Sequence, residues 1–147
     1  MSSAAARHDF NRRAATYDAN ASLQRDAAQW LAEWLPDRIE GAALELGAGT
    51  GLFTRHIAAR TRGLFATDIS PRMVAEGSRL ASGARWMTAD ASSPPRLAAW
   101  HWVFSCSMAQ WLHDPGDAFR NWREAAAPGA RLLGGWFSAG TMSGFLD

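Results

Sequence analysis

Three glycines at alternate positions stand directly behind a short apolar run in Ala42-Ala43-Leu44-Glu45-Leu46-Gly47-Ala48-Gly49-Thr50-Gly51. A run of five residues bounded by glycine is too short for a stable helix and has the length of a buried strand. Glycine at alternate positions permits a tight turn and lets a ligand approach the backbone closely. From Leu52 to Ala59 apolar residues return at helical spacing. The segment therefore predicts a strand, a ligand-facing turn and a helix, the opening unit of an α/β sheet.

The rest of the chain repeats this alternation. Strands are expected over Gly63 to Thr67, with Asp68 at the end, and over Arg85 to Thr88, Trp100 to Cys106 and Arg131 to Phe137. Helices are expected over Pro71 to Leu80, capped by Ser70, and over Asp114 to Ala126, opened by Asp114 and Pro115. Pro94 and Pro95 mark a loop, and Pro128 and Gly129 a turn. Upstream, Leu23 to Leu35 carries apolar residues on one helical face until Pro36 stops the pattern, and Phe10 to Tyr17 predicts a shorter helix. Alternation of this kind predicts a doubly wound, mostly parallel Rossmann-like sheet of about five strands, covered on both faces.

Such sheets bind ligands at the carboxyl ends of their strands, and the spacing there selects the ligand. A dinucleotide fingerprint needs Gly-x-Gly-x-x-Gly, whereas here the third glycine, Gly51, comes one residue early. Glu45 would repel a pyrophosphate but suits a ligand with an amino group and a sulfonium cation, as S-adenosylmethionine has. Asp68 ends the second strand, where a carboxylate accepts hydrogen bonds from ribose hydroxyls, and Asp90, followed by Ala91, ends the third near the adenine position. Asp68 as a helix cap and Asp90 as the start of a polar loop are the alternatives for each residue taken alone.

The acidic-x-Gly-x-Gly-x-Gly turn and the acidic ends of strands two and three resemble the class I methyltransferases that use S-adenosylmethionine. A narrower similarity runs through Tyr17 to Arg25, Phe104 to Leu112 and Phe137 to Leu146, which look like the malonyl-acyl-carrier-protein O-methyltransferases of biotin synthesis. The resemblance implies a cofactor set of Tyr17, Glu45, Gly47, Ala48, Gly49, Gly51, Asp68, Ile69, Met73, Asp90, Ala91 and Ser105. In that set Tyr17 closes over the cofactor and Ser105 faces its methionine part, while Met73, on the helix after Asp68, reads more readily as packing than as a cofactor contact. Gln110 and Trp111 would shape the substrate side. It further implies methylation of the free carboxyl of a malonyl thioester, on acyl carrier protein or coenzyme A. A carboxylate is already ionised at neutral pH, so no catalytic base is assigned, and no metal. His101 and His113 read as structural, and Trp100, Trp102, Trp122 and Trp136 as core.

The resemblance also sets the expected organisation: one domain over 1–147, with a helical lid over 1–36, a cofactor-binding core over 42–137 and a tail over 138–147. The family's final helix and hairpin are expected to be missing, leaving strand five near an open edge that invites pairing. A formal charge of +1 gives no reason to expect nucleic acid, although all fifteen basic residues are arginines and some gather near the start. No apolar run spans a bilayer, no secretion signal opens the chain, and Cys106 is the only cysteine, so a cytoplasmic protein is expected. The competing readings are a methyltransferase for another small metabolite, an S-adenosylmethionine-binding module without turnover, and a nicotinamide-dependent oxidoreductase, the last opposed by the glycine spacing.

Overall fold

The computed structural model describes residues 3–14 and 21–138. Helices α1 (Ser3–Arg13) and α2 (Ser22–Ala32) precede the sheet. There follow β1 (Ala43–Leu46), α3 (Thr54–Ala58), β2 (Leu64–Asp68), α4 (Pro71–Leu80) and β3 (Arg85–Thr88). The chain continues through β4 (Trp100–Cys106), a 3-10 turn (Ala109–Trp111), α5 (Pro115–Ala125) and β5 (Ala126–Gly135).

The five strands form one parallel sheet in the order β3-β2-β1-β4-β5. From β1 the chain winds outward to β3 and then returns past β1 to β4. The switch point of this Rossmann-like sheet lies between β1 and β4, where a crevice opens beyond the strand ends. Every residue of β1 is buried, as a strand covered on both faces requires. On one face Ala43, Leu64 and Phe104 meet Ala28 and Leu31 of α2 and Ile57 of α3. On the other, Leu44, Leu46 and Val103 meet Ala118, Trp122 and Ala125 of α5. Both expected caps are present: the Ser70 hydroxyl accepts from Met73 N at 3.1 Å, and the Asp114 carboxylate accepts from Asp117 N at 2.9 Å.

The amino-terminal helix departs from expectation, spanning Ser3–Arg13 instead of Phe10 to Tyr17. The alanines at positions 4 to 6, the strongest helix formers, extend it upstream. Tyr17 lies outside the described residues, as does the tail beyond Ser138. The fifth strand begins earlier than expected. Ala126 already pairs with Trp100, but the next partners are Trp102 and Arg131, so the chain bulges between them. Gly129 sits in that bulge at φ +75°, and the expected Pro128-Gly129 turn is thus contained within the strand. Trp100 and Trp122 are core, and their indole N–H groups donate to the carbonyls of Pro95 and Ala91. Trp136 is not: it follows the end of β5, packs one face on Phe119 and is 47% exposed. Among the described residues no helix is long and apolar enough to cross a membrane.

Candidate functional site

A cavity of about 460 Å³ occupies the crevice at the carboxyl ends of the strands. The loop after β1 forms its floor. Gly47 and Gly49 take positive φ, +70° and +57°. A side chain on Gly47 would run into Met108, whose Cγ lies 2.1 Å from the position a Cβ would take. At Gly49 a Cβ would meet nothing within 4 Å, so this backbone is open to a ligand.

Two buried carboxylates flank the loop. Glu45, on β1, is 1% exposed, and Thr54 Oγ1 donates to its Oε2 at 2.5 Å. Burial pushes its carboxyl up to about 8, against the pull of the Thr54 hydrogen bond and with the help of the nearby Asp68 charge. Asp68, at the end of β2, accepts Gly49 N at Oδ2 and Ser70 N at Oδ1, each at 2.9 Å. Burial raises its pKa as well, opposed by backbone N–H groups of Ser70, Gly49 and Ile69. Asp90 lies beyond β3, and its Oδ1 receives both the N–H and the hydroxyl of Ser92. Three acidic residues from three successive strands thus line one cavity, together with Ala48, Ile69, Met73 and Ala91.

Three expected site residues fall elsewhere. Gly51 turns away from the cavity: a Cβ there would lie 2.7 Å from Ala81 Cβ, so this glycine serves close packing of the loop against the end of α4. Ser105 does not line the cavity. Alternation along β4 turns its neighbours Phe104 and Cys106 toward the α2 face, leaving Ser105 Oγ buried without a hydrogen-bond partner. Gln110 is exposed and donates to Ser107 O at 2.8 Å, while the adjacent Trp111 does reach the cavity.

Sequence reasoning missed much of the far wall. Phe10 of α1, Gln24 of α2, Met108, Leu112 and Asn121 all line the cavity. Phe10 meets the Trp111 ring edge-on at 5.8 Å. Ser107 takes φ +56°, the only described non-glycine residue with positive φ, and directs the chain from β4 along the cavity wall. No turn signature announces that conformation. Thr54 was legible only as one more helix residue, although it supplies the hydrogen bond to Glu45. Cys106 also lines the cavity, and burial pushes its thiol up to about 11, which favours the protonated form at neutral pH.

The family model described as a methyltransferase domain matches residues 44–132, the span that contains this loop and all three acidic strand ends. The chain belongs to that family. The malonyl-[acyl-carrier protein] O-methyltransferase of Serratia marcescens is 29% identical to this methyltransferase domain over 134 residues, covering 90% of the chain and 52% of the relative. That of Xylella fastidiosa is 33% identical over 150 residues, covering 92% of the chain and 49% of the relative. The chain spans about half the length of these curated relatives. Among solved structures, the DhpI-SAM-HEP complex superposes with a TM-score of 0.76 at 27% identity, covering 95% of this chain and 69% of that one. A DhpI-SAH complex gives 0.69 at 30% identity, covering 85% and 64%.

Proposed function

We propose that this methyltransferase domain binds S-adenosylmethionine in the cavity and methylates the free carboxyl of a malonyl thioester. The observation that carries the first half is the backbone of Gly49, open to the cavity between two buried carboxylates, Glu45 and Asp68. A buried acid is costly unless a positive group meets it, and a ligand carrying an ammonium and a sulfonium supplies that charge. Asp68 then accepts the ribose hydroxyls, with Ile69 and Met73 behind it, while Asp90 and Ala91 take the adenine edge. Gly47 and Ala48 complete the loop. Helices α1 and α2, within 1–36, form the lid over the 42–137 core. Bound S-adenosylmethionine would supply an electrophilic methyl group on a sulfonium whose departure leaves a neutral thioether.

The chain's own residues have a limited task. A carboxylate acceptor is ionised at neutral pH and needs no base, so positioning and exclusion of water carry the rate. Trp111, with Phe10 at its edge, walls the acceptor side. The names of the curated relatives support the malonyl thioester, and an acyl carrier protein is the partner that such a substrate implies. The single cysteine fits a cytoplasmic setting. Methyl transfer to another small metabolite, without a carrier, is the second reading, because the chain spans only about half the length of the relatives named for the malonyl substrate.

Calorimetric titration with S-adenosylhomocysteine tests the cofactor, with micromolar binding expected; a folded chain that binds none overturns the proposal. Transfer of labelled methyl to malonyl-acyl-carrier protein or malonyl-coenzyme A, against free small acids, then tests the acceptor. Label found only in free acids would favour the second reading.

A further inference from the structure

Helix α1 is fastened to both banks of the cavity by two adjacent residues. Phe10 rests on Trp111 on the β4 side, and Asn11 reaches the loop between β2 and α4 on the other. The Asn11 carboxamide oxygen accepts the Ser70 hydroxyl at 2.6 Å and the Arg72 N–H at 3.4 Å, and Arg72 Nη1 lies 3.5 Å from the Asn11 carbonyl. Ser70 is fully buried and fully used. Its hydroxyl proton goes to Asn11, its oxygen accepts Met73 N, and its own N–H holds Asp68 Oδ1. A hydroxyl has a single proton, so loss of the Asn11 oxygen leaves a buried donor unpaired at the residue that orients Asp68.

We propose that Asn11 is a positioning residue for the cofactor: through Ser70 it couples the docking of α1 to the placement of the Asp68 carboxylate. This rests on the reading of the cavity as an S-adenosylmethionine site. Because coupling between two events is reciprocal, a ligand held by Asp68 favours docked α1, and docked α1 slows the ligand's escape. Asn11 itself does not line the cavity. Its route to the Asp68 carboxylate runs through Ser70, which sets the form of the test.

The experiment is a double-substitution cycle of Asn11→Ala and Ser70→Ala, read by S-adenosylhomocysteine affinity and dissociation rate and by tryptic cleavage after Arg12 with and without ligand. Near-ultraviolet circular dichroism of the tryptophans checks the fold. Asn11→Ala is expected to weaken binding about fivefold, the worth of one hydrogen bond, chiefly through faster dissociation, and to abolish ligand protection of Arg12. The double variant is expected to bind no more weakly than Ser70→Ala. Unchanged affinity in Asn11→Ala, or additive losses in the double variant, overturns the inference while leaving the cofactor reading intact. Failure of the unaltered chain to bind overturns both.

Discussion

On the bank of the cavity formed by β1 and β2, the contacts that shape the site are short and run through the backbone. Gly49 N and Ser70 N hold the two oxygens of Asp68, Ala48 N reaches Thr67 O at 2.8 Å, and Thr67 Oγ1 reaches Glu45 O at 2.8 Å. The bank formed by β4 and α5 is built from larger and more exposed side chains: Met108 on the loop, Trp111 at 42% exposure, and Asn121 donating to Ser92 O at 2.8 Å. Backbone contacts fix geometry within narrow limits, whereas side-chain packing accepts exchange of one residue for another. The first bank suits a ligand that does not vary, and the second an acceptor that does.

The two glycines of the loop separate these functions most sharply. Gly47 is where the banks touch, so Gly47→Val must displace the Met108 side chain and also strain a backbone at φ +70°. Destabilisation of about 3 kcal/mol or more is expected, read from the urea midpoint. Gly49→Val fills the ligand space instead, with a loss of about 1 to 2 kcal/mol from its φ of +57° and no detectable S-adenosylhomocysteine binding. Equal destabilisation by both, or retained binding in Gly49→Val, would break the division.

The buried acids of the first bank give it a pH dependence. In the folded chain Glu45 titrates near 8, against an ordinary value of 4.5, so between these limits the folded protein keeps a proton that the unfolded chain has released. Stability from this group is therefore complete below pH 4.5 and falls as pH rises toward 8, by at most about 1.4 kcal/mol per pH unit. Asp68, also raised by burial, acts in the same direction. The ligand-free protein is expected to melt at lower temperature at pH 8 than at pH 5, and Glu45→Gln to flatten that slope. A slope unchanged in Glu45→Gln would remove this carboxyl as its source.

The first bank was also the more legible in the sequence, for a physical reason. Positive φ and buried charge at strand ends restrict residue types so strongly that Gly47, Gly49, Glu45 and Asp68 stand out unaided. The order of strands and helices followed from apolar periodicity, including both caps. The second bank left weaker marks. Ser107 adopts positive φ without being glycine, Ser105 and Gln110 were misplaced because strand alternation and a 3-10 turn decide which way they face, and Phe10 reaches the site only through helix docking. Nor did the sequence reveal that Gly51 is spent on packing against Ala81.

Asp68→Ala tests the first bank by removing two backbone anchors as well as the expected ribose contact. Affinity for S-adenosylhomocysteine is expected to fall by about 1 to 3 kcal/mol in calorimetry. Stability should change less, because a desolvated carboxyl is lost together with its hydrogen bonds. Affinity equal to that of the unaltered chain would take Asp68 out of the site.

The smallest effect belongs to Trp111→Ala on the second bank. This change removes the edge-on contact with Phe10, worth about 0.5 to 1.5 kcal/mol beyond buried area, from a residue already 42% exposed. The urea midpoint should therefore shift little, and cofactor affinity should change less than in Asp68→Ala. The loss should appear in the KM for the methyl acceptor, because the proposed function puts Trp111 on the acceptor wall, in the 3-10 turn that follows β4. A fall in cofactor affinity as large as that of Asp68→Ala would mean that the banks act as one unit, with the Phe10 contact serving the cofactor and not the acceptor.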